Sequence, residues 1–91
     1  MAIATTNPTT GETLKTFTPD SDPLIEEKLG KAARAFESWR RTRFAERAQR
    51  LSRVASLLEE RKDALGRLMT LEMGKLRKAA VAEVEKCASG C

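Results

Sequence analysis

The sequence predicts an α+β chain in which one β-hairpin is followed by about four amphipathic helices. Three features predict it. Two β-leaning runs flank a stretch dense in turn formers near the start, apolar residues then recur at steps of three and four, and short connectors with capping residues divide the helical stretches. Within 91 residues, 41% are hydrophobic and 33% charged, the balance of a globular chain, but with three Phe and one Trp the core must be mostly aliphatic. A domain this short buries a small share of its surface and is marginal alone, so a partner or a missing remainder is expected.

The hairpin is predicted from Ile3-Ala4-Thr5-Thr6 and Thr13-Leu14-Lys15-Thr16-Phe17, joined by Asn7-Pro8-Thr9-Thr10-Gly11-Glu12. Pro8 presets its φ for a turn, and Gly11 can take the positive φ that closes one. Because an isolated hairpin is marginal in water, this one should rest on another element. It occupies residues 1–18, and residues 19–91 form a separate helical segment.

Ser21 or Asp22 can cap the first helix, whose first turn accepts Pro23 and gains from Glu26 and Glu27 near the positive end of the dipole. Ile25, Leu29, Ala32, Phe36 and Trp39 then share one face. Gly30 costs that helix about 1 kcal/mol against Ala. Arg40 and Arg41 suit a helix C-terminus, and Thr42 is a natural N-cap for a second helix striped by Phe44, Ala48, Leu51, Ala55 and Leu58. With so short a link, the two stripes should face each other as an αα-hairpin that buries Phe36 and Leu51, and Phe36→Ala should then cost about 3–5 kcal/mol. The helical period continues from Lys62 through Leu65, Leu68 and Met69 after a bend at Arg61 to Asp63, and Gly74 ends it. A last amphipathic segment places Leu76, Ala80, Val84, Cys87 and Cys91 on one stripe.

Little in this pattern can do chemistry. There is no His, and two cysteines one helical turn apart supply only half of a zinc site, so both read as small buried hydrophobes in a reducing compartment. Seventeen Lys and Arg against thirteen Asp and Glu leave a charge of +4, and the arginines from Arg34 to Arg53 are interrupted by Glu37 and Glu46. A solvated face laced with ion pairs is expected there, since aromatic platforms for bases are absent from the polar face; no nucleic acid is expected as a partner. The five glycines are isolated, so no phosphate-binding loop exists. Thr70-Leu71-Glu72-Met73-Gly74-Lys75 reads as a helix end. With neither a basic leader followed by an apolar run nor a membrane-spanning stretch, a cytoplasmic protein is expected. No catalytic, cofactor-binding or metal-ligating residue is assigned.

Several motifs nevertheless recur in a familiar order. Asn7-Pro8-Thr9-Thr10-Gly11-Glu12 is similar to the Asn-Pro-Ala-Thr-Gly-Glu turn near the start of many aldehyde dehydrogenases. Ala35-Phe36-Glu37-Ser38-Trp39-Arg40 resembles that family's Ala-Phe-x-x-Trp-Arg helix end, Ala45-Glu46-Arg47-Ala48 its Ala-Glu-Arg-Ala helix start, and Leu57-Leu58-Glu59-Glu60 the leucine pair after it. Met69-Thr70-Leu71-Glu72-Met73-Gly74-Lys75 looks like its Thr-x-Glu-x-Gly-Lys segment, in wording nearest the succinate-semialdehyde branch, and Glu83 to Ala88 continues in register. Two departures stand out: Leu76 occupies the place of a usual Pro, and Ser89-Gly90-Cys91 comes where aromatic residues usually follow, an ending that a frameshift, a truncated gene or a defined fragment would each explain.

The resemblance implies an amino-terminal piece, an incomplete part of the aldehyde dehydrogenase fold, packing on an absent dinucleotide-binding domain. It also implies a parent enzyme in which a Cys attacks the aldehyde, hydride passes to NAD or NADP, and a Glu-activated water hydrolyses the thioester. Those residues match no position here, and Cys87 is not the nucleophile. The implied partners are the remainder of the chain and, through exposed apolar faces, other copies of it. The alternative is a free-standing helical interaction module with a basic face.

Overall fold

The computed structural model describes residues 3–91; Met1 and Ala2, which open the expected 1–18 segment, lie outside the described residues. The elements run β1 (Ile3–Thr6), β2 (Thr13–Phe17), α1 (Asp22–Trp39), α2 (Phe44–Met73) and α3 (Arg77–Gly90).

The strands pair antiparallel with Ile3 opposite Phe17, Ala4 opposite Thr16 and Thr5 opposite Lys15, after which the register slips and Thr6 faces Thr13. Leu14 is therefore the extra residue of a bulge. The turn closes as its residues dictate. Asn7 N–H donates to the Glu12 carbonyl at 2.9 Å, Gly11 N–H donates to the Asn7 carbonyl at 2.8 Å, and the Asn7 side chain accepts from Thr9 N–H at 2.9 Å. Gly11 takes the left-handed φ of 76° that this path requires.

Ser21 caps α1, its Oγ accepting from Leu24 N–H at 3.4 Å, with Pro23 in the first turn. The cap of α2 differs from the expected one. Arg43 holds the N-cap position without a side-chain bond, because the Thr42 hydroxyl is engaged with the end of α1. At its other end α2 stops at Gly74, which adopts φ 72° and donates its N–H to the Thr70 carbonyl at 3.0 Å.

Among the described residues the helix count is three, not about four. The bend expected at Arg61 to Asp63 does not occur, and α2 runs unbroken for 30 residues. Arg61 to Asp63 holds no Gly or Pro to break the helix. Arg61 and Lys62 are good helix formers, Lys62 pairs with Glu59 one turn back, and α3 packs against α2.

The expected pairing of α1 with α2 is also overturned: Phe36 is 57% exposed and Leu51 51% exposed, and among the described residues α1 packs on no other element. The helix pair that does form is α2 with α3. Lys62 reaches Glu85 and, four residues on, Gly66 lies against Val81, so rising positions on one helix meet falling positions on the other and the pair is antiparallel. Small residues decide this choice. Gly66 and Ala80 let the backbones approach, whereas α1 presents the bulky Phe36 and packs on no other element among the described residues. The buried stripe of α3 is Ala80 at 0%, Val84 at 2% and Ala88, spaced strictly by four. Cys87 and Cys91, expected on that stripe, are exposed. A helix with a single neighbour buries only a narrow strip, and Cys87 sits about 100° around the helix from Ala88.

The hairpin does rest on another element, although lightly, at the C-terminal end of α2, where Pro8 approaches Gly74. The chain extends 48 × 37 × 14 Å, so its short dimension is about one helix diameter. Its radius of gyration is 17.5 Å, whereas a compact chain of this length has about 12 Å.

Candidate functional site

A single-layer arrangement leaves apolar side chains without cover. Ile25, Leu29 and Phe36 lie exposed along α1, with Phe44, Leu51 and Val54 along the first half of α2. The described chain exposes 7544 Å². A self-contained monomer of its 10.1 kDa would expose about 5,300 Å². The excess of about 2,200 Å² is as large as one side of an extensive permanent interface. The candidate site is therefore a surface rather than a cleft.

At the corner between α1 and α2, Arg47 is the organising side chain. Its Nε donates to Thr42 Oγ1 at 2.8 Å, and its Nη2 lies 3.3 Å from the Trp39 carbonyl and 3.4 Å from that of Arg40. The same guanidinium stands 5.8 Å from the ring centres of both Trp39 and Phe44, and Arg50 stands 5.4 Å from Trp39. Carbonyls at a helix C-terminus have no partner within the helix and carry its negative dipole end, so a cation there is doubly placed. Spacing alone makes these arginines a solvated, ion-paired face. One such pair exists, Glu46 with Arg50 at 3.4 Å, but Arg47 and Arg50 cover an aromatic ring and Arg40 covers Phe36 at 5.7 Å. Sequence spacing could not find this arrangement, because residues eight apart meet only when a helix ends between them.

Along the α2–α3 seam, Lys62 Nζ bridges Glu85 at 3.0 Å and Glu59 at 3.2 Å, and Lys75 pairs with Glu83. Hydrogen bonds that the Lys62 ammonium donates to Glu85 and then to Glu59 raise its pKa above the ordinary value. The bond from Lys75 and its charge hold the Glu83 carboxyl below the ordinary carboxylate value. Arg77 donates to the Asp63 carbonyl at 3.0 Å beside a shallow groove that Lys78, Val81 and Ala82 also line. These contacts hold two helices together and converge on no reacting atom.

Cys87 and Cys91 are free and exposed, and no cluster of three or more His, Cys, Asp or Glu side chains able to hold a metal occurs among the described residues. Thr70 to Lys75 forms the end of α2: the Thr70 hydroxyl donates to the Gly66 carbonyl at 3.2 Å, and Lys75 turns to Glu83. The described sheet is a two-stranded hairpin, and neither left-handed glycine, Gly11 or Gly74, stands between a strand and the helix it feeds. No described helix is long and apolar enough to cross a membrane.

The chain matches known proteins along its whole length. The model of the aldehyde dehydrogenase family matches residues 1–91. The chain is 50% identical over 91 residues to a probable succinate-semialdehyde dehydrogenase [NADP(+)] of Synechocystis, matching all of this chain and 20% of that protein. It is 49% identical over 90 residues to succinate-semialdehyde dehydrogenase [NADP(+)] 1 of Mycobacterium bovis, and 50% identical over 91 to the succinate-semialdehyde dehydrogenase [NADP(+)] of Mycobacterium avium. The chain spans about a fifth of the length of these relatives.

Proposed function

Because this chain belongs to the aldehyde dehydrogenase family, we propose that it is the covering segment of an enzyme that oxidises succinate semialdehyde to the acid with NADP as hydride acceptor. The substrate and the cofactor rest on what the similar proteins are named for. The segment itself holds neither. Its part is to lay the apolar surface of the hairpin, α1 and the first half of α2 onto the dinucleotide-binding domain of the remaining chain. The supporting observation is the surface excess of about 2,200 Å² in a chain whose buried apolar core is Ala80, Val84 and Ala88. Two free cysteines suit a reducing compartment, in keeping with a cytoplasmic enzyme.

Replacing the matching fifth of the Synechocystis relative with residues 1–91 tests this reading. The chimera should form NADPH from NADP and succinate semialdehyde, and the relative lacking that fifth should be insoluble or inactive. Full activity of the shortened relative would show that the segment covers nothing the enzyme needs.

A further inference from the structure

We infer that the corner between α1 and α2 is preorganised by Arg47, so that α1 is held at a set angle before any partner covers it. Among the described residues α1 packs on no other element. Its direction therefore depends on the link from Arg40 to Arg43. Two backbone bonds tighten that link, from Arg41 N–H to the Ser38 carbonyl at 3.1 Å and from Thr42 N–H to the Trp39 carbonyl at 3.0 Å. Both are local and shape the turn without setting the angle between the two helices.

Arg47 adds the contacts that cross the corner. It starts from the first turn of α2 and reaches back to Thr42 Oγ1 and to the carbonyls of Trp39 and Arg40, while its flat guanidinium faces the rings of Trp39 and Phe44 on either side of the link. A guanidinium has a rigid fork of donors and a planar face, so it can meet carbonyls in its plane and aromatic rings across it; an ammonium cannot do both. Thr42 completes the device, donating to the Trp39 carbonyl at 2.8 Å while accepting from Arg47. Arg47 and Thr42 are half-buried in a corner whose other members are exposed.

A preset angle matters because the apolar stripes of α1 and α2 must meet one surface together, and ordering a loose arm at the moment of docking weakens association. The identity of that surface, the rest of the enzyme, rests on the function proposed above. The rigidity of the corner does not, and it is measurable in residues 1–91 alone.

Spin labels at Glu26→Cys and Arg61→Cys, in a chain with Cys87→Ser and Cys91→Ser, report the angle as a distance by pulsed electron resonance. One narrow distance is expected, and Arg47→Ala and Arg47→Lys should both lose it to a broad distribution. Thr42→Val should broaden it partly, and Arg50→Ala should leave it narrow. Trp39 is the single Trp, so its quenching by acrylamide gives a second reading. It should rise in Arg47→Ala and in Arg50→Ala, because each uncovers the ring, although only the first frees the arm. Circular dichroism confirms that the variants keep their helices. A narrow, unchanged distance in Arg47→Ala, or a broad one already in the parent chain, would overturn the inference whether or not the chimera is active.

Discussion

Gly66 is the point at which α2 and α3 come closest, and adding one methyl group there should weaken the chain although alanine is the better helix former. A Cβ built on Gly66 would stand 2.8 Å from Val81 Cγ2, 3.1 Å from Val81 N and 3.3 Å from Val81 Cα. The first contact cannot be relieved by rotation, since a β-branched side chain in a helix has one strongly preferred χ1. The other two involve backbone, so α3 must move away as a unit. Overpacking of this kind costs about 1–3 kcal/mol, and the gain in helix propensity returns about 1 kcal/mol. The net loss for Gly66→Ala should be about 1 kcal/mol. Gly30 provides the control on the same chain. A Cβ there meets only the end of the Arg34 side chain, with Nη1 at 3.2 Å, and that end can swing away. Gly30→Ala should thus be stabilising by about 1 kcal/mol. In urea unfolding followed by circular dichroism, the two midpoints should move in opposite directions by up to about 1 M each. A Gly66→Ala midpoint that rises as far as that of Gly30→Ala would refute the claim that this glycine sets the helix spacing.

Three further outcomes are expected from the same geometry. Phe36→Ala should cost the isolated chain about 1 kcal/mol or less, rather than the 3–5 expected for a buried ring, because most of the side chain is already in water; urea unfolding of the isolated variant checks the small cost, and the chimera should lose far more. The Lys75–Glu83 pair adds stability that is present above the ordinary carboxylate pKa of 4.5 and is lost as pH falls through the depressed value of Glu83, while that of Lys62 is present below 10.5 and is lost as pH rises through its raised value. Unfolding midpoints across pH should therefore lose their acid limb in Glu83→Gln and their alkaline limb in Lys62→Met, and unchanged profiles would dismiss both pairs. Finally, residues 1–91 alone should self-associate in sedimentation runs and show no heat of binding with NADP. A sharply melting monomer, or micromolar cofactor binding, would favour a free-standing module instead.

The parts of this chain that local rules govern are legible in its sequence. Pro8 and Gly11 mark the hairpin turn, Ser21 and Pro23 the start of α1, and Gly74 the end of α2, because each acts through its own φ or through a bond within four residues. The family is legible too, from motifs in order along the whole chain. The helix partners are not. Amphipathic stripes show that a helix must be covered but not by what, and adjacency in sequence points α1 at α2 when α2 has its partner in α3. Only tertiary structure sets that choice, since it depends on how closely Gly66 and Ala80 let two backbones approach. The same holds for Arg47, whose contacts with Trp39 and Arg40 exist because the chain turns between two helices. Among the described residues nothing covers α1, and a face so plainly apolar in sequence stands open to water in the fold.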